Sequence, residues 1–220
     1  MKRIYLLFLI VLLVLMVDQG LKFYIKLNFE MGESVSMFGT SWAFLHFIEN
    51  RGMAFGIALG GSYGKLALSI FRIVAVFLLG WYLVRLEKSG AKLGLLVAFA
   101  LILAGAIGNI IDSAFYGLIF SESPYHGGLA HLVPWGQGYA GFLHGSVVDM
   151  FYFPLIDTTW PSWIPFLGGG EFQFFQPVFN VADSSITIGA CLLLLYYNTF
   201  FKEQKEAEKE SSEEATPIES

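Results

Sequence analysis

Four long apolar runs divide the chain, and its polar residues fall between those runs or at their ends. The first run, 4–17, has no polar break and follows Lys2 and Arg3. It imitates a secretory signal peptide, but Asp18-Gln19-Gly20-Leu21-Lys22 follows it instead of a small-x-small cleavage site. A helix over this run rises only about 21 Å, short of the roughly 30 Å hydrocarbon core of a bilayer. The span is therefore expected to run over about 4–27, with Asp18 inside the helix near its far end. Asp18 and Lys22 are i,i+4 and share a face, so they can pair. Further spans are expected at about 66–84, with Arg72 inside it, and at 93–112 and 178–201. Ala100, Ala104 and Gly108 give the third span a small face that lets another helix approach closely.

Between the runs the pattern changes. In 28–62 polar turns flank short aromatic stretches, the signature of a small antiparallel sheet, here resting on the membrane surface. Residues 113–177 are rich in Gly, Pro and aromatics, and a connection of that length usually has its own structure or a function. Residues 202–220 are Glu-, Lys- and Ser-rich and expected to be disordered. The expected architecture is a mainly α membrane protein. Residues 1–201 form one four-span domain with an outward-facing β-sheet cradle and an extended outer loop insertion.

Composition agrees with this reading. The chain is 55% hydrophobic and 14% charged, whereas soluble domains carry about 25% charged residues. The net charge of −5 arises mostly in the tail, where three Lys and seven Glu contribute −4. No basic patch remains for nucleic acid. The single cysteine, Cys191, excludes an intrachain disulfide and a multi-cysteine metal site. With four spans, Lys2, Arg3, Arg85, Lys88, Lys92, Lys202, Lys205 and Lys209 lie on one side, which the positive-inside rule makes cytoplasmic. Both termini are then cytoplasmic, and 28–62 and 113–177 face outward.

That topology sorts the acids. Asp18 lies near the outer end of span one, Asp112 at the outer end of span three, and Asp183 at the outer start of span four. Asp149, among β-branched and aromatic neighbours, is expected on an extended, partly buried segment just before the last span. Two carboxylates brought within about 3–5 Å share a proton. One then serves as general base on a water while the other, protonated, donates to a substrate carbonyl. This is aspartic-protease chemistry and needs neither metal nor cysteine. Asn109 with Asp112, and Asn180 with Asp183, are i,i+3 pairs, each expected to set an amide on the same face as its acid, fit to orient that acid or to bind a peptide backbone. Asn180 also suits a helix N-cap with Asp183 in the first turn.

Each residue also has a plainer role. Asp183 alone reads as a cap, Asp18 as the ion-pair partner of Lys22, and Arg72 as structural. Asp112 is open between substrate contact and helix–helix bonding, and Asn50 between turn former and substrate clamp. His126 and His131 are i,i+5, not a zinc-binding HxxxH or HExxH. His144-Gly-Ser146 lacks a nucleophile elbow. The loop aromatics suit an interfacial belt or the core of the insertion.

Five motifs occur in order: Asp18-Gln19-x-x-Lys22, Asn50-x-Gly52-x-Ala54-Phe55, Gly108-Asn109-x-x-Asp112, Val147-Val148-Asp149, and Phe179-Asn180-x-Ala182-Asp183-x-x-Ile186. In these the chain resembles the prolipoprotein signal peptidases (signal peptidase II), intramembrane aspartic proteases, over roughly residues 4–201. The resemblance implies an Asp149/Asp183 catalytic dyad. It makes Asn50, Gly52, Asn109, Asp112 and Asn180 supporting residues, with Asp18 and Lys22 structuring the end of helix one. It implies a diacylglyceryl-modified prolipoprotein as substrate, cleaved just before its lipidated cysteine, and an inner-membrane location. No metal or other cofactor and no nucleic-acid partner is expected, and the protein is expected to act as a monomer. Two departures stand out: Ser113 where the family usually has Arg, whose part then falls to Arg51 or Arg72 or goes unfilled, and long insertions at 115–145 and 154–177. The competing reading is a small cation-binding transporter or channel using the outer-face acids, although such sites usually lie near the membrane midplane.

Overall fold

The computed structural model describes residues 2–50, 61–125, 127–154, 156–159, 161–166, 168–174 and 177–195. Among these residues, three helices are long and apolar enough to cross a membrane. They are α1 (Arg3–Asn28), α2 (Gly61–Lys88), and α3 (Leu93–Ile111), which continues through a π-helical turn, Asp112–Tyr116, into the short α4 (Gly117–Ile119). A shorter apolar helix, α5 (Val181–Leu195), follows the loop region. The expected fourth span thus begins three residues late, because Val178–Phe179 form a strand. Its end, beyond 195, lies outside the described residues, as does the 202–220 tail. The other helices outrun their expected ends: α2 starts at Gly61, and the third rod runs on to Ile119.

These helices expose large apolar side chains along much of their length, including Phe8, Met16, Phe71, Phe77 and Leu194. In water such a surface would be a liability; in a bilayer it is the lipid-facing side. The α2–α3 turn closes with Gly90 at φ +78°. Its N–H donates to the Glu87 carbonyl and that of Ala91 to the Leu86 carbonyl, a Schellman ending to α2.

Helix α3 is the centre of the bundle, in contact with α1, α2 and α5. Ala100, Ala104 and Gly108 are all buried, as expected of the small face. A close approach to α5 is made one residue further on, at Gly105, where a Cβ would stand 2.2 Å from the Ala182 carbonyl oxygen. From the other side Gly189 of α5 lies against the Ala98 carbonyl. Ser185 donates to the Leu101 carbonyl oxygen at 2.8 Å.

The sheet differs from the expected local one. Strands β1 (Ser34–Ser36) and β2 (Phe44–Asn50) pair as predicted, but β3 (Val147–Tyr152) and β6 (Val178–Phe179) complete an antiparallel sheet of order β1-β2-β3-β6. The loop region therefore returns twice to the sheet, while β4 (Ile156–Thr159) and β5 (Glu171–Phe174) form a separate hairpin. The stretch 120–145 folds back on the π turn and α4. Cβ atoms at Gly138 and Gly145 would meet the Gly117 and Asp112 carbonyl oxygens at 2.1 and 2.2 Å.

Two apolar cores result. One, around Leu7, Leu86, Leu96 and Ala100, holds the N-terminal half of α1 to α2 and α3. The other, around Ile25, Phe47, Tyr116, Phe120, Val148 and Met150, holds the C-terminal half of α1 to the sheet and to α4. Along both α1 and α3 a polar layer separates them: buried Asp18 and Lys22 on α1, and half-buried Asn109 with buried Asp112 on α3 and its extension.

Candidate active site

The site is built at the start of α5. Strand β6 delivers Asn180 in extended backbone, and the chain turns helical at once. Asn180 Oδ1 accepts the Asp183 amide N–H at 2.9 Å, while Asp183 Oδ2 accepts the Asn180 N–H at 3.4 Å. This reciprocal cap satisfies two backbone donors that a helix start leaves open. A third, the Ala182 N–H, donates to Asp18 Oδ1 at 2.8 Å. Asp183 is thereby fixed in the first turn of α5, half-buried.

Asp149 comes from β3, as the extended segment predicted, and is almost fully buried. It lies opposite Ile48 of β2, with Asn50 opposite Val147, so Asn50 shares the Asp149 face of the sheet. The Asn180 side-chain amide donates to Asp149 Oδ1 at 2.7 Å, and also reaches the Val148 carbonyl and Asn109 Oδ1, each at 3.2 Å. Asn109 in turn donates to Asp183 Oδ1 at 2.8 Å. The two carboxyl groups are thus joined through two asparagines, in the order Asp149, Asn180, Asn109, Asp183. Burial above all, then the charge of Asp183, pushes the Asp149 carboxyl from the ordinary 3.8 up to about 7, against the Asn180 hydrogen bond and the Lys22 charge.

Beneath this chain lies a second network. Lys22 Nζ donates to Asp112 Oδ2 at 2.8 Å, Asp18 Oδ2 at 2.9 Å and Asn109 Oδ1 at 3.0 Å, which engages all three ammonium hydrogens. All three charged side chains of this group are fully buried. Asp112 Oδ2 also accepts the Val148 N–H at 3.2 Å, next to Asp149. Asp18 therefore anchors the start of α5 and Asp112 anchors β3, with Lys22 holding both. Each acid pins the backbone beside one member of the Asp149/Asp183 pair.

Of the predicted residues, Asp18, Lys22, Asn109, Asp112, Asp149, Asn180 and Asp183 come together here. Asn109 and Asn180 were expected to orient the acids three positions on or to bind a peptide backbone; Asn180 engages Asp183 through its Oδ1, but its side-chain NH2 crosses to Asp149, and Asn109 donates to Asp183 rather than to Asp112. A helix N-cap spends its oxygen on the backbone three residues ahead, which leaves its amide free to point away. The Asp18–Lys22 pair forms as predicted. Gly52 and Arg51 lie outside the described residues. Ser113 does not replace a cation; its hydroxyl donates to the Asn109 carbonyl within the helix. Arg72, half-buried on α2, stands within electrostatic reach of Asp183 and Asp149.

One residue of the site was missed. Gln19 donates to Asp112 Oδ1 at 2.9 Å and Asp18 Oδ2 at 3.1 Å, and accepts from Tyr116 OH at 3.1 Å. The available signal was its place between Asp18 and Lys22 in an otherwise mostly apolar helix. His131 and His144 are occupied locally, against Ser121 Oγ and the Phe142 carbonyl; His126 lies outside the described residues. Within the insertion, Phe115 packs on Trp135 and Phe142, with ring centroids 6.1 and 5.9 Å apart.

Known proteins share this arrangement of chain. A lipoprotein signal peptidase of Porphyromonas gingivalis is 52% identical over 189 residues, 86% of this chain and 80% of that one. Those of Amoebophilus asiaticus and Chlorobium phaeobacteroides (strain BS1) are 36% and 32% identical, each over 88% of this chain and over 78% and 96% of theirs. A bacterial membrane enzyme solved by the in meso method at 1.9 Å superimposes with a TM-score of 0.57 at 25% identity, covering 88% of this chain and 93% of its own. Residues 10–200 match signal peptidase (SPase) II, and with that match and these identities the chain belongs to the signal peptidase II family of membrane peptidases.

Proposed function

We propose that this protein removes the signal peptide from diacylglyceryl-modified prolipoproteins, cleaving just before the lipidated cysteine with Asp149 and Asp183 as the catalytic pair. The observation that carries the reading is the hydrogen-bonded chain from Asp149 through Asn180 and Asn109 to Asp183. It brings two acids from distant parts of the sequence together at a helix mouth, one of them with a carboxyl raised to about 7. Such a pair retains one proton near neutral pH. That proton rests on Asp149, the more buried acid.

The geometry supports the following reaction. A water beside Asp183 gives it a proton and adds its oxygen to the scissile carbonyl carbon, while Asp149 protonates the carbonyl oxygen. As the tetrahedral intermediate collapses, the C–N bond breaks, Asp183 passes its proton to the leaving amine, and Asp149 recovers its own. No acyl-enzyme forms. Asn109 and Asn180 hold the carboxyl groups in position, and Asp18, Lys22 and Asp112 fix α5 and β3 behind them. Asn50, on the Asp149 face at the end of β2, serves as a substrate clamp together with Gly52.

The setting is an inner membrane crossed four times by one domain, 1–201, with both termini cytoplasmic and the acids at the outer interface. The distribution of Lys and Arg supports that orientation. Lipid tails of the substrate then stay in the bilayer while water and the scissile bond meet the carboxyl groups at its edge. The protein acts as a monomer.

The deciding experiment is cleavage of a diacylated and an unlipidated precursor by purified protein. Cleavage of the diacylated form alone, abolished in folded Asp149→Asn and Asp183→Asn variants, is expected. Normal turnover in both variants would sink the dyad.

A further inference from the structure

A second buried ionic cluster lies outside the site. Lys26, one helical turn beyond Lys22, is fully buried and pairs with Glu49. Its Nζ also donates to Ser123 Oγ at 2.9 Å, and Ser123 donates to the same Glu49 oxygen at 2.8 Å. The ammonium lies 4.9 Å from the Tyr139 ring centroid and 5.3 Å from that of Phe120. Removing this much charge from water is costly unless each group is held. The cluster ties three elements that are far apart in sequence: the end of α1, the end of β2, and the loop after α4.

Its place on β2 gives it a use. Glu49 precedes Asn50, the last residue of the strand, and pairs across the sheet with Val148 beside Asp149. Alternation puts Glu49 on the face opposite Asn50 and Asp149. The cluster thus grips β2 from behind, at the root of the Asn50-x-Gly52-x-Ala54-Phe55 motif. We propose that Lys26, Glu49 and Ser123 form a positioning latch. It sets the end of β2 for substrate binding and couples the 120–139 part of the insertion to the substrate clamp. The inference rests on the proposed peptidase reading and assigns these residues no contact with the reacting atoms.

Ser123→Ala is the mild test, because it leaves the ion pair and the Phe120 and Tyr139 rings in place while removing the hydrogen bonds to the insertion. Lys26→Met/Glu49→Gln is the second, because it removes both charges together and leaves neither unpaired. Steady-state cleavage of a diacylated precursor would be measured beside thermal unfolding in the same detergent. A rise in KM of about fivefold with kcat unchanged is expected for Ser123→Ala, as the part of its two lost hydrogen bonds to charged groups that reaches the end of β2. A larger rise in KM is expected for the double variant. Folded variants with unaltered KM, or with kcat lowered and KM unchanged, overturn the latch while wild-type cleavage keeps the peptidase reading. Absence of cleavage by the wild-type protein overturns both.

Discussion

Asn180 donates its side-chain amide to Asp149 at 2.7 Å while its side-chain oxygen caps the helix that carries Asp183. One residue therefore sets both acids, one through each end of its amide group. Asn180→Ala removes the cap and the Asp149 donor together. The cap is worth about 1 kcal/mol, so a modest fall in thermal stability is expected. The loss of kcat is expected to be far larger, about 10²-fold, the scale of losing a preorganised donor at a reacting centre. An Asn180→Ala protein with normal kcat in the precursor assay would show that the bridge is only a cap.

The raised Asp149 carboxyl predicts a pH limit. In the proposed mechanism the pair needs one proton, and burial with the Asp183 charge holds it on Asp149 up to about pH 7. Cleavage is expected to fall as pH rises through that value. Stability follows the same sign. The folded value lies above the ordinary 3.8, so between about 4 and 7 the native state binds more protons than the unfolded chain. This group's contribution is fully present below 3.8 and is lost as pH climbs through 7. Asp149→Asn should flatten the decline of Tm over that window, and an identical decline in both proteins would contradict the assignment.

Much of this arrangement was legible in the sequence, for a physical reason. An ionisable group in an apolar span is costly, so each one that is present signals a partner. Asp18 and Lys22 could be paired from helical spacing alone. Asp149 could be assigned to an extended segment from its β-branched neighbours. The partners contributed by other elements could not be read. Nothing local indicates that Asp112 would accept the Val148 N–H, or that the Asn180 amide would cross to β3. Long-range pairing hid the sheet as well, since β2 finds its second partner about a hundred residues later in β3. The latch was hidden for the same reason: Lys26, Glu49 and Ser123 share no periodicity.

Lys22 is expected to be the least replaceable residue of the buried layer. Lys22→Met leaves Asp18 and Asp112 without a cation in a site closed to water. Breaking a buried pair in this way costs about 3–5 kcal/mol. Asp18→Asn/Lys22→Met/Asp112→Asn removes the charges together and is expected to recover much of that loss. Thermal unfolding of the single and triple variants checks the order. A single variant as stable as wild type would mean that the ammonium is not what balances the two acids.

Gly105 tests whether helix contact governs the site from a distance. A methyl group there would stand 2.2 Å from the Ala182 carbonyl oxygen and 2.7 Å from Ile186 Cγ1. Backbone cannot yield as a flexible side chain does, so α5 must move away from α3. Its first turn holds Asp183 and the Ala182 N–H that donates to Asp18. Gly105→Ala is therefore expected to cost about 1–3 kcal/mol, the range for overpacking, and to lower kcat by displacing Asp183 from Asn109. Gly80 on α2 is the control, because nothing lies within 4 Å of its added Cβ. Gly80→Ala should keep full activity and match or exceed wild-type stability, since alanine is the better helix former. If the two substitutions behave alike, the α3–α5 contact does not set the position of the acid.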